Sequence, residues 1–200
     1  NGCVIYSSES TIAVDPIPDV IVPTALEECD DDYNGITSFN LTDKDIEILN
    51  GQTGISVSYY ELQEDAESGD NPITDPYLNT TADGQIVYVR LEDDATACYA
   101  TTTLELIVNP IPEVITPPVV EVCDDDYDGV GTFDLTSLDD TILNGQTGIS
   151  VTYHQSQEDA DAGSNVLSSP FNNTSLDAQE LIVRLENNTT GCYATTTQGL

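Results

Sequence analysis

The sequence contains the same unit twice, at a constant offset of 94 residues. The block CDDDY that begins at Cys29 recurs at Cys123, and residues 48–57 recur as residues 142–151. Aligned without a gap, residues 15–106 and 109–200 share 51 identities over 92 positions. Segments this similar share one fold, and about 94 residues is an ordinary length for one small domain. The sequence therefore predicts two tandem copies of a single domain, a first repeat at residues 15–108 and a second repeat at residues 109–200.

Both ends of the chain indicate a longer array. Residues 1–14 resemble the end of a unit, because Cys3 and the strand-like stretch after it match the segment that begins at Cys98, with one extra residue. At the other end, Leu200 falls inside what should be a last strand. We therefore expect residues 1–14 to be the last strand of a preceding repeat and the second repeat to be truncated in its last strand.

Each repeat consists of short strand-like runs separated by turn clusters. In the second repeat, runs rich in Val, Ile, Thr, Tyr and Phe predict strands at residues 114–122, 131–135, 149–153, 180–185 and 193–197. Residues 186–191 predict a hairpin loop, and residues 136–144 and 156–163 predict short helical turns. This pattern predicts an all-β fold, namely tandem immunoglobulin-like β-sandwich domains with one or two short helical turns each.

The charge of the chain excludes several classes of protein. There are 37 Asp and Glu residues against 3 Lys and Arg, which gives a formal net charge of -34. Nucleic-acid binding is excluded because phosphate contacts require Lys and Arg, and docking on anionic lipid is disfavoured for the same reason. No apolar stretch approaches the ~20 residues of a membrane span. We also expect no enzyme, because the only histidine, His154, is replaced by Tyr60 in the first repeat.

Four cysteines recur with the repeat and indicate disulfides in an oxidising compartment. Pairing within each repeat would join Cys29 to Cys98 and Cys123 to Cys192, each 69 residues apart. Pairing between repeats would instead join Cys3 to Cys29 and Cys98 to Cys123. The odd count of five cysteines fits either scheme, and we predict the pairing within repeats because it would most stabilise a small sandwich.

The acidic block after the first cysteine of each repeat has the spacing of a calcium loop. It reads D-x-D-x-[ND]-G, with oxygen-bearing side chains at positions 1, 3 and 5 and glycine at position 6. The glutamate usual at position 12 is missing. The alternative is an acidic turn whose Asp side chains accept hydrogen bonds from backbone amides. We predict structural Ca²⁺ held by the side chains of Asp30, Asp32, Asn34, Asp124, Asp126 and Asp128 and by the carbonyls of Ile36 and Val130.

Two of the three basic residues, Arg90 and Arg184, occupy equivalent strand positions. Each could bind an anionic ligand. The simpler interpretation is a structural ion pair with a nearby carboxylate, because an isolated cation in so acidic a domain finds a partner.

Three segments of the second repeat carry a family resemblance: CDDDYDGVGTFDLT, ILNGQTGISVTYHQSQEDADAG and VRLENNTTGCYATTT. They resemble the tandem Ig-like repeats of very long surface proteins of flavobacteria and other Bacteroidetes, which are type IX secretion substrates described as gliding-motility-associated or adhesin-like. The resemblance covers essentially all of residues 15–200. It implies an extracellular, cell-surface protein, and it makes Thr141 a candidate O-glycosylation site because Asp140-Thr141-Ile142 fits the short sequon of that group.

These observations favour a structural repeat segment of a secreted cell-surface adhesin or extracellular filament, which gives reach and stiffness. Its partners would be neighbouring repeats of the same chain and other copies in a filament. The alternative is a glycan- or protein-binding module in which each repeat carries a ligand site.

Overall fold

A computed structural model of the chain describes residues 15–124, 127–176 and 178–200, so the predictions for residues 1–14 and for Asp126 lie outside the described residues. The described chain divides into two units that differ from the two repeats at one place. The first unit comprises residues 15–27 and 38–107, and the second comprises residues 28–37 and 108–200. Residues 28–37 of the first repeat therefore pack with the second repeat.

The first repeat contains six strands, two short α-helices and one 3-10 helix. They are β1 (Leu26–Cys29), β2 (Ser38–Phe39), a 3-10 helix (Leu41–Lys44), α1 (Asp45–Leu49), β3 (Ile55–Tyr60), α2 (Gln63–Ser68), β4 (Tyr77–Leu78), β5 (Gly84–Asp93) and β6 (Tyr99–Asn109).

The described part of the second repeat repeats this order without a counterpart of β1. Its elements are β7 (Thr132–Phe133), a 3-10 helix (Leu135–Leu138), α3 (Asp139–Leu143), β8 (Ile149–His154), α4 (Gln157–Ala162), β9 (Phe171–Asn172), β10 (Glu180–Asn187) and β11 (Tyr193–Gly199). No described helix is long and apolar enough to cross a membrane.

Each repeat pairs its long strands in one main sheet and its short strands in a two-stranded ribbon. The main sheets have the orders β1-β6-β5-β3 and β11-β10-β8, and the ribbons pair β2 with β4 and β7 with β9. The hairpin β10–β11 is antiparallel, with Arg184 opposite Thr195. These arrangements confirm the predicted all-β, sandwich-like domains with short helical turns.

The core of each domain lies on one face of its main sheet. In β5, Val87, Val89 and Leu91 alternate with less buried residues and are fully buried, as the two-residue period of a strand requires. The equivalent positions Leu181, Val183 and Leu185 of β10 belong to the core cluster of the second unit. That cluster also contains Phe133, Leu135, Ile142, Tyr153 and Leu200.

The helical turns lie where the sequence predicts them. The Ser156 hydroxyl accepts a hydrogen bond from the Asp159 amide at the start of α4, and Gly163 ends this helix with φ +59°. In the 3-10 helix Leu135–Leu138, the Asp134 side chain accepts a hydrogen bond from the Thr136 amide.

The prediction of a strand at residues 114–122 is wrong. No strand is formed there, although the Val120 amide donates to the Gly199 carbonyl at 3.0 Å. Pro117 and Pro118 have no amide hydrogen, so a continuous ladder over residues 114–118 cannot form. The strand predicted at 131–135 is limited to β7, because Leu135 already belongs to a 3-10 helix.

Candidate functional site

A disulfide joins Cys29, at the end of β1, to Cys192, immediately before β11. The two residues are 163 positions apart, and their Cα atoms are separated by 5.5 Å. Cys98 and Cys123 are free thiols. The predicted pairs Cys29–Cys98 and Cys123–Cys192 are therefore wrong, and the alternative pair Cys98–Cys123 is not formed either.

The physical reason is that the chain after β1 leaves its own repeat. The Asp30 amide donates to the Asn109 carbonyl at 2.8 Å, which fixes the start of residues 28–37 within the second unit. This placement brings Cys29 next to Cys192, the second cysteine of the following repeat. Because all cysteines recur at the same offset, spacing alone gives no reason to prefer one periodic pairing over another.

The first acidic loop, residues 29–35, is organised by its own side chains. Both carboxylate oxygens of Asp30 accept from backbone amides, from Gly35 at 2.9 Å and from Asp32 at 3.3 Å. Asp32 accepts in turn from the Asn34 amide at 3.2 Å. Burial raises the pKa of Asp30, but the amide hydrogen bonds outweigh it and hold the pKa below its usual value. The loop is therefore held by hydrogen bonds from its backbone amides to its own carboxylates.

Tyr33 fixes the tip of this loop. Its φ of 65° lies in the left-handed region, and its hydroxyl donates to the Pro112 carbonyl at 2.8 Å. The loop and the second repeat enclose an open cleft of about 550 Å³. The cleft is lined by Cys29, Asp30, Asp31, Tyr33, Ile111, Val114, Gly191, Tyr193, Ala194 and Thr195. Sequence reasoning missed this contact between Tyr33 and Pro112.

The second acidic loop, residues 123–129, has the same internal geometry where it is described. The Asp124 carboxylate accepts from the Gly129 amide at 2.8 Å and from the Tyr127 amide at 2.9 Å. Asp128 accepts from the Val130 amide at 2.8 Å. Cys123 is exposed, and Tyr127 is 94% exposed.

The calcium prediction stays a prediction. Carboxylate oxygens of Asp30, Asp31 and Asp32 lie within 4.8 Å of one another, a spacing that one ion could bridge. The amide hydrogen bonds of Asp30 and Asp32 equally match the alternative of an acidic turn. The side chain of Asn34 accepts from the Ile36 amide at 2.6 Å, so it too has a backbone partner.

Arg90 and Arg184 each form an ion pair with a nearby glutamate, as the simpler interpretation predicts. The Arg184 guanidinium donates to the carbonyls of Ala160 and Asp161 at the end of α4, and to Glu186 at 2.6 and 2.8 Å. It also stacks on the ring of Tyr193 at 3.5 Å. Arg90 makes the corresponding contacts with the end of α2, with Glu92 and with Tyr99. Each arginine ties a short helix to the main sheet beside the second cysteine of its repeat.

Thr141 lies exposed on α3, beside the buried Ile142. Its hydroxyl can be reached by a modifying enzyme, and O-glycosylation there stays a prediction.

The comparison with known families agrees with this geometry. The family described as Flavobacterium inter-domain disulphide bond domain matches residues 25–112 and again residues 119–200. The two matches cover both repeats and begin just before the two acidic loops. The search of curated proteins returned no significant match.

Proposed function

Since this chain belongs to the Flavobacterium inter-domain disulphide bond domain family, we propose that it is a structural repeat segment of a secreted cell-surface adhesin or extracellular filament. The disulfide Cys29–Cys192 is the observation that carries the proposal. It ties a loop of one repeat covalently to the next repeat, which suits a part whose task is reach and stiffness. A disulfide also fits an oxidising compartment outside the cytoplasm.

Surface labelling tests this role directly. Antibodies raised against residues 15–200 are applied to intact native cells and located by electron microscopy. We expect label outside the cell envelope, at a distance from it that decreases when one repeat is deleted from the gene. Label that appears only after lysis, or whose distance does not change with the deletion, would overturn the proposal.

The contribution of the disulfide can be measured on the purified chain. Cys29→Ser removes the bond, and native disulfides typically contribute about 2–5 kcal/mol. We expect a lower thermal unfolding temperature and faster proteolysis within residues 28–37, which the bond holds against the second unit. Cys123→Ser is the matched control, because Cys123 is a free, exposed thiol. Equal stability of the two variants would show that the bond adds nothing.

The cleft beside the disulfide supports a second candidate, the glycan- or protein-binding module. Tyr33 and Tyr193 offer aromatic surface there, and Asp30 and Asp31 offer hydrogen-bond acceptors. A glycan array probed with the purified chain tests this function. Saturable binding that Tyr33→Ala abolishes would favour it over a purely structural role.

A further inference from the structure

The first repeat contains an open cleft beside α2. Its volume is about 360 Å³, which is within the range of ligand pockets. Leu62, Pro72 and Ile73 form an apolar wall, and Glu61 and Asp65 contribute carboxylates. We call this site the α2 cleft. It shares no lining residue with the cleft beside the disulfide.

Each carboxylate of the α2 cleft is held by one neighbour. Glu61 accepts a hydrogen bond from the Tyr77 hydroxyl at 3.0 Å, and that hydroxyl accepts in turn from the Gln85 side chain at 2.8 Å. Asp65 accepts from the Asn71 side chain at 3.0 Å. Among the described residues no other group donates to either carboxylate, so the second oxygen of each is open to a ligand.

The second repeat fills the equivalent position in a different way. The counterpart aspartate, Asp159, accepts from the Asn165 side chain at 2.7 Å and from the Ser156 hydroxyl at 2.8 Å. Both of its oxygens therefore have donors. The counterpart of Glu61 is Gln155, which carries no charge. The second repeat thus lacks the pair of available carboxylates and serves as an internal reference.

Leu62 weakens the local structure at the edge of the α2 cleft. It is the N-cap of α2, where it makes no side-chain hydrogen bond, and it is 52% exposed. The second repeat has Ser156 at this position, and its side chain caps α4. A residue that breaks a local rule of folding and exposes apolar surface beside two carboxylates is typical of a functional site.

The chain itself has no unpaired cation to place between these carboxylates. It contains three Lys and Arg residues. Each of them is already paired with a glutamate: Lys44 with Glu47, Arg90 with Glu92, and Arg184 with Glu186. The cation that complements the α2 cleft therefore comes from another molecule.

We propose that the α2 cleft binds a lysine side chain of another protein. The ammonium group lies between Glu61 and Asp65, and the alkyl stem packs along Leu62 and Ile73. An ammonium has three donors, so it can bind one oxygen of each carboxylate. The stem buries apolar surface while the charged end is paired. This recognition goes beyond the structural role proposed above, which does not depend on it.

The chemistry of the α2 cleft favours this ligand over other cations. A guanidinium pairs best with both oxygens of one carboxylate, and here one oxygen of each is already occupied. Ca²⁺ takes about six to eight oxygen ligands, which a cleft with an apolar wall does not offer. The net charge of -34 attracts every cation, so the test must separate the cleft from this general attraction.

Nuclear magnetic resonance titration of the whole chain tests the proposal. The probe is Nα-acetyl-lysine N-methylamide, which carries the side chain without other charges. We expect saturable shifts of the Asn71 and Ile73 amide signals with a millimolar Kd, and no shift of the equivalent Asn165 and Leu167 signals. Nα-acetyl-norleucine N-methylamide, which lacks the ammonium, should not bind. Equal shifts in both repeats, or equal binding of the norleucine compound, would overturn the proposal.

Two variants that remove the same charge separate the cleft from general attraction. Glu61→Gln should weaken the affinity at least several-fold, and the second repeat already accommodates glutamine at this position, as Gln155. Glu158→Gln, at an exposed position of α4, should leave the affinity unchanged. Equal affinities of the two variants would contradict binding at the α2 cleft.

Leu62→Ser separates binding from folding. The serine should cap α2 and donate to Asp65, as Ser156 does for Asp159 in the second repeat. We therefore expect the unfolding temperature to rise while the affinity for the lysine derivative falls several-fold. A variant that binds as tightly as the parent would overturn the proposal.

Cadaverine tests the other source of an alkyl ammonium group, a free diamine. We expect it to bind no more than several-fold more tightly than the lysine derivative, since it presents two equivalent ammonium groups. Binding that is tighter by an order of magnitude would assign the α2 cleft to small diamines and overturn the proposal of a protein partner.

Discussion

At the scale of single residues, Arg90 and Arg184 each bind backbone carbonyls, a glutamate and an aromatic ring at once. Arg184 satisfies two carbonyls at the end of α4, pairs with Glu186 and covers the Tyr193 ring. Removing it takes one of two donors from the buried Ala160 carbonyl, which keeps the Gly163 amide, and leaves the carbonyl of the exposed Asp161 to solvent. Its salt bridge adds less, because Glu186 is well exposed to solvent.

We therefore predict that Arg184→Ala destabilises the second unit by about 1–3 kcal/mol. Arg184→Lys should recover only part of this loss, because an ammonium group has neither the planar fork nor the stacking face of a guanidinium. Denaturant unfolding of the two variants checks the order. A lysine variant as stable as the parent would show that charge alone matters at this position.

Asp139 gives a prediction of pH dependence. Burial raises the pKa of its carboxyl, the hydrogen bond from the Tyr153 hydroxyl at 2.6 Å opposes this, and the charges of Asp134 and Asp140 add to the rise. Above that raised pKa, the folded state carries a carboxylate that costs stability. Below the ordinary value of 3.8, the group is protonated in both states and the cost is gone.

Asp139→Asn removes this cost and keeps an oxygen acceptor for Tyr153. Relative to the parent, the variant should gain stability as the pH rises from 3.5 to 7, as measured by thermal unfolding at both values. Asp140→Asn, an exposed neighbour in α3, should show a smaller change. The opposite trend for Asp139→Asn would mean that the charged hydrogen bond from Tyr153 outweighs burial.

At the scale of elements, the acidic loops carry the calcium prediction. Millimolar Ca²⁺ should raise the unfolding temperature relative to a chelator, and a ligand at 100 times its dissociation constant adds about 2.7 kcal/mol. Mg²⁺ should do less, because it demands octahedral geometry. Asp32→Ala should weaken the calcium response beyond its effect in chelator. An identical unfolding temperature with Ca²⁺ and with chelator would show that the amide hydrogen bonds alone hold these loops.

Much of each sheet could be predicted from sequence because the strands are amphipathic. The strand β8 alternates Ile, Val and Tyr with polar residues, and β10 and β11 contain the runs rich in Val, Ile, Thr and Tyr that predicted them. The helix α4 follows its capping Ser156 and terminal Gly163. The strand predicted at residues 114–122 failed because its apolar residues are interrupted by prolines, whose missing amides break a ladder.

The disulfide could not be predicted by the same reasoning. A tandem repeat makes every cysteine spacing periodic, so a bond within a repeat and a bond to the next repeat fit equally well. The cysteine pairing is decided by the placement of residues 28–37 in the second unit. This placement depends on contacts such as Asp30 with Asn109 and Tyr33 with Pro112. Those contacts join residues 79 positions apart and leave no local signature.

At the scale of the whole molecule, the net charge of -34 dominates. Self-repulsion opposes the folded state, and salt shortens its range from about 10 Å at 0.1 M to about 3 Å at 1 M. We predict that the unfolding temperature rises between 0.1 and 1 M NaCl at pH 7. The rise should shrink at pH 3.5, where many carboxylates are protonated. A salt response as large at pH 3.5 as at pH 7 would exclude charge repulsion as its cause.

The disulfide also divides the chain under tension. A pulling force applied at residues 1 and 200 reaches Cys29 and Cys192 and passes directly through the bond between them. The 163-residue separation corresponds to roughly 540–590 Å of fully extended chain, at about 3.3–3.6 Å per residue. None of that length can be released while the bond is intact, even if both domains unfold. An oxidised chain is therefore nearly inextensible between these points, and a reducing environment would turn the same segment into a long slack tether.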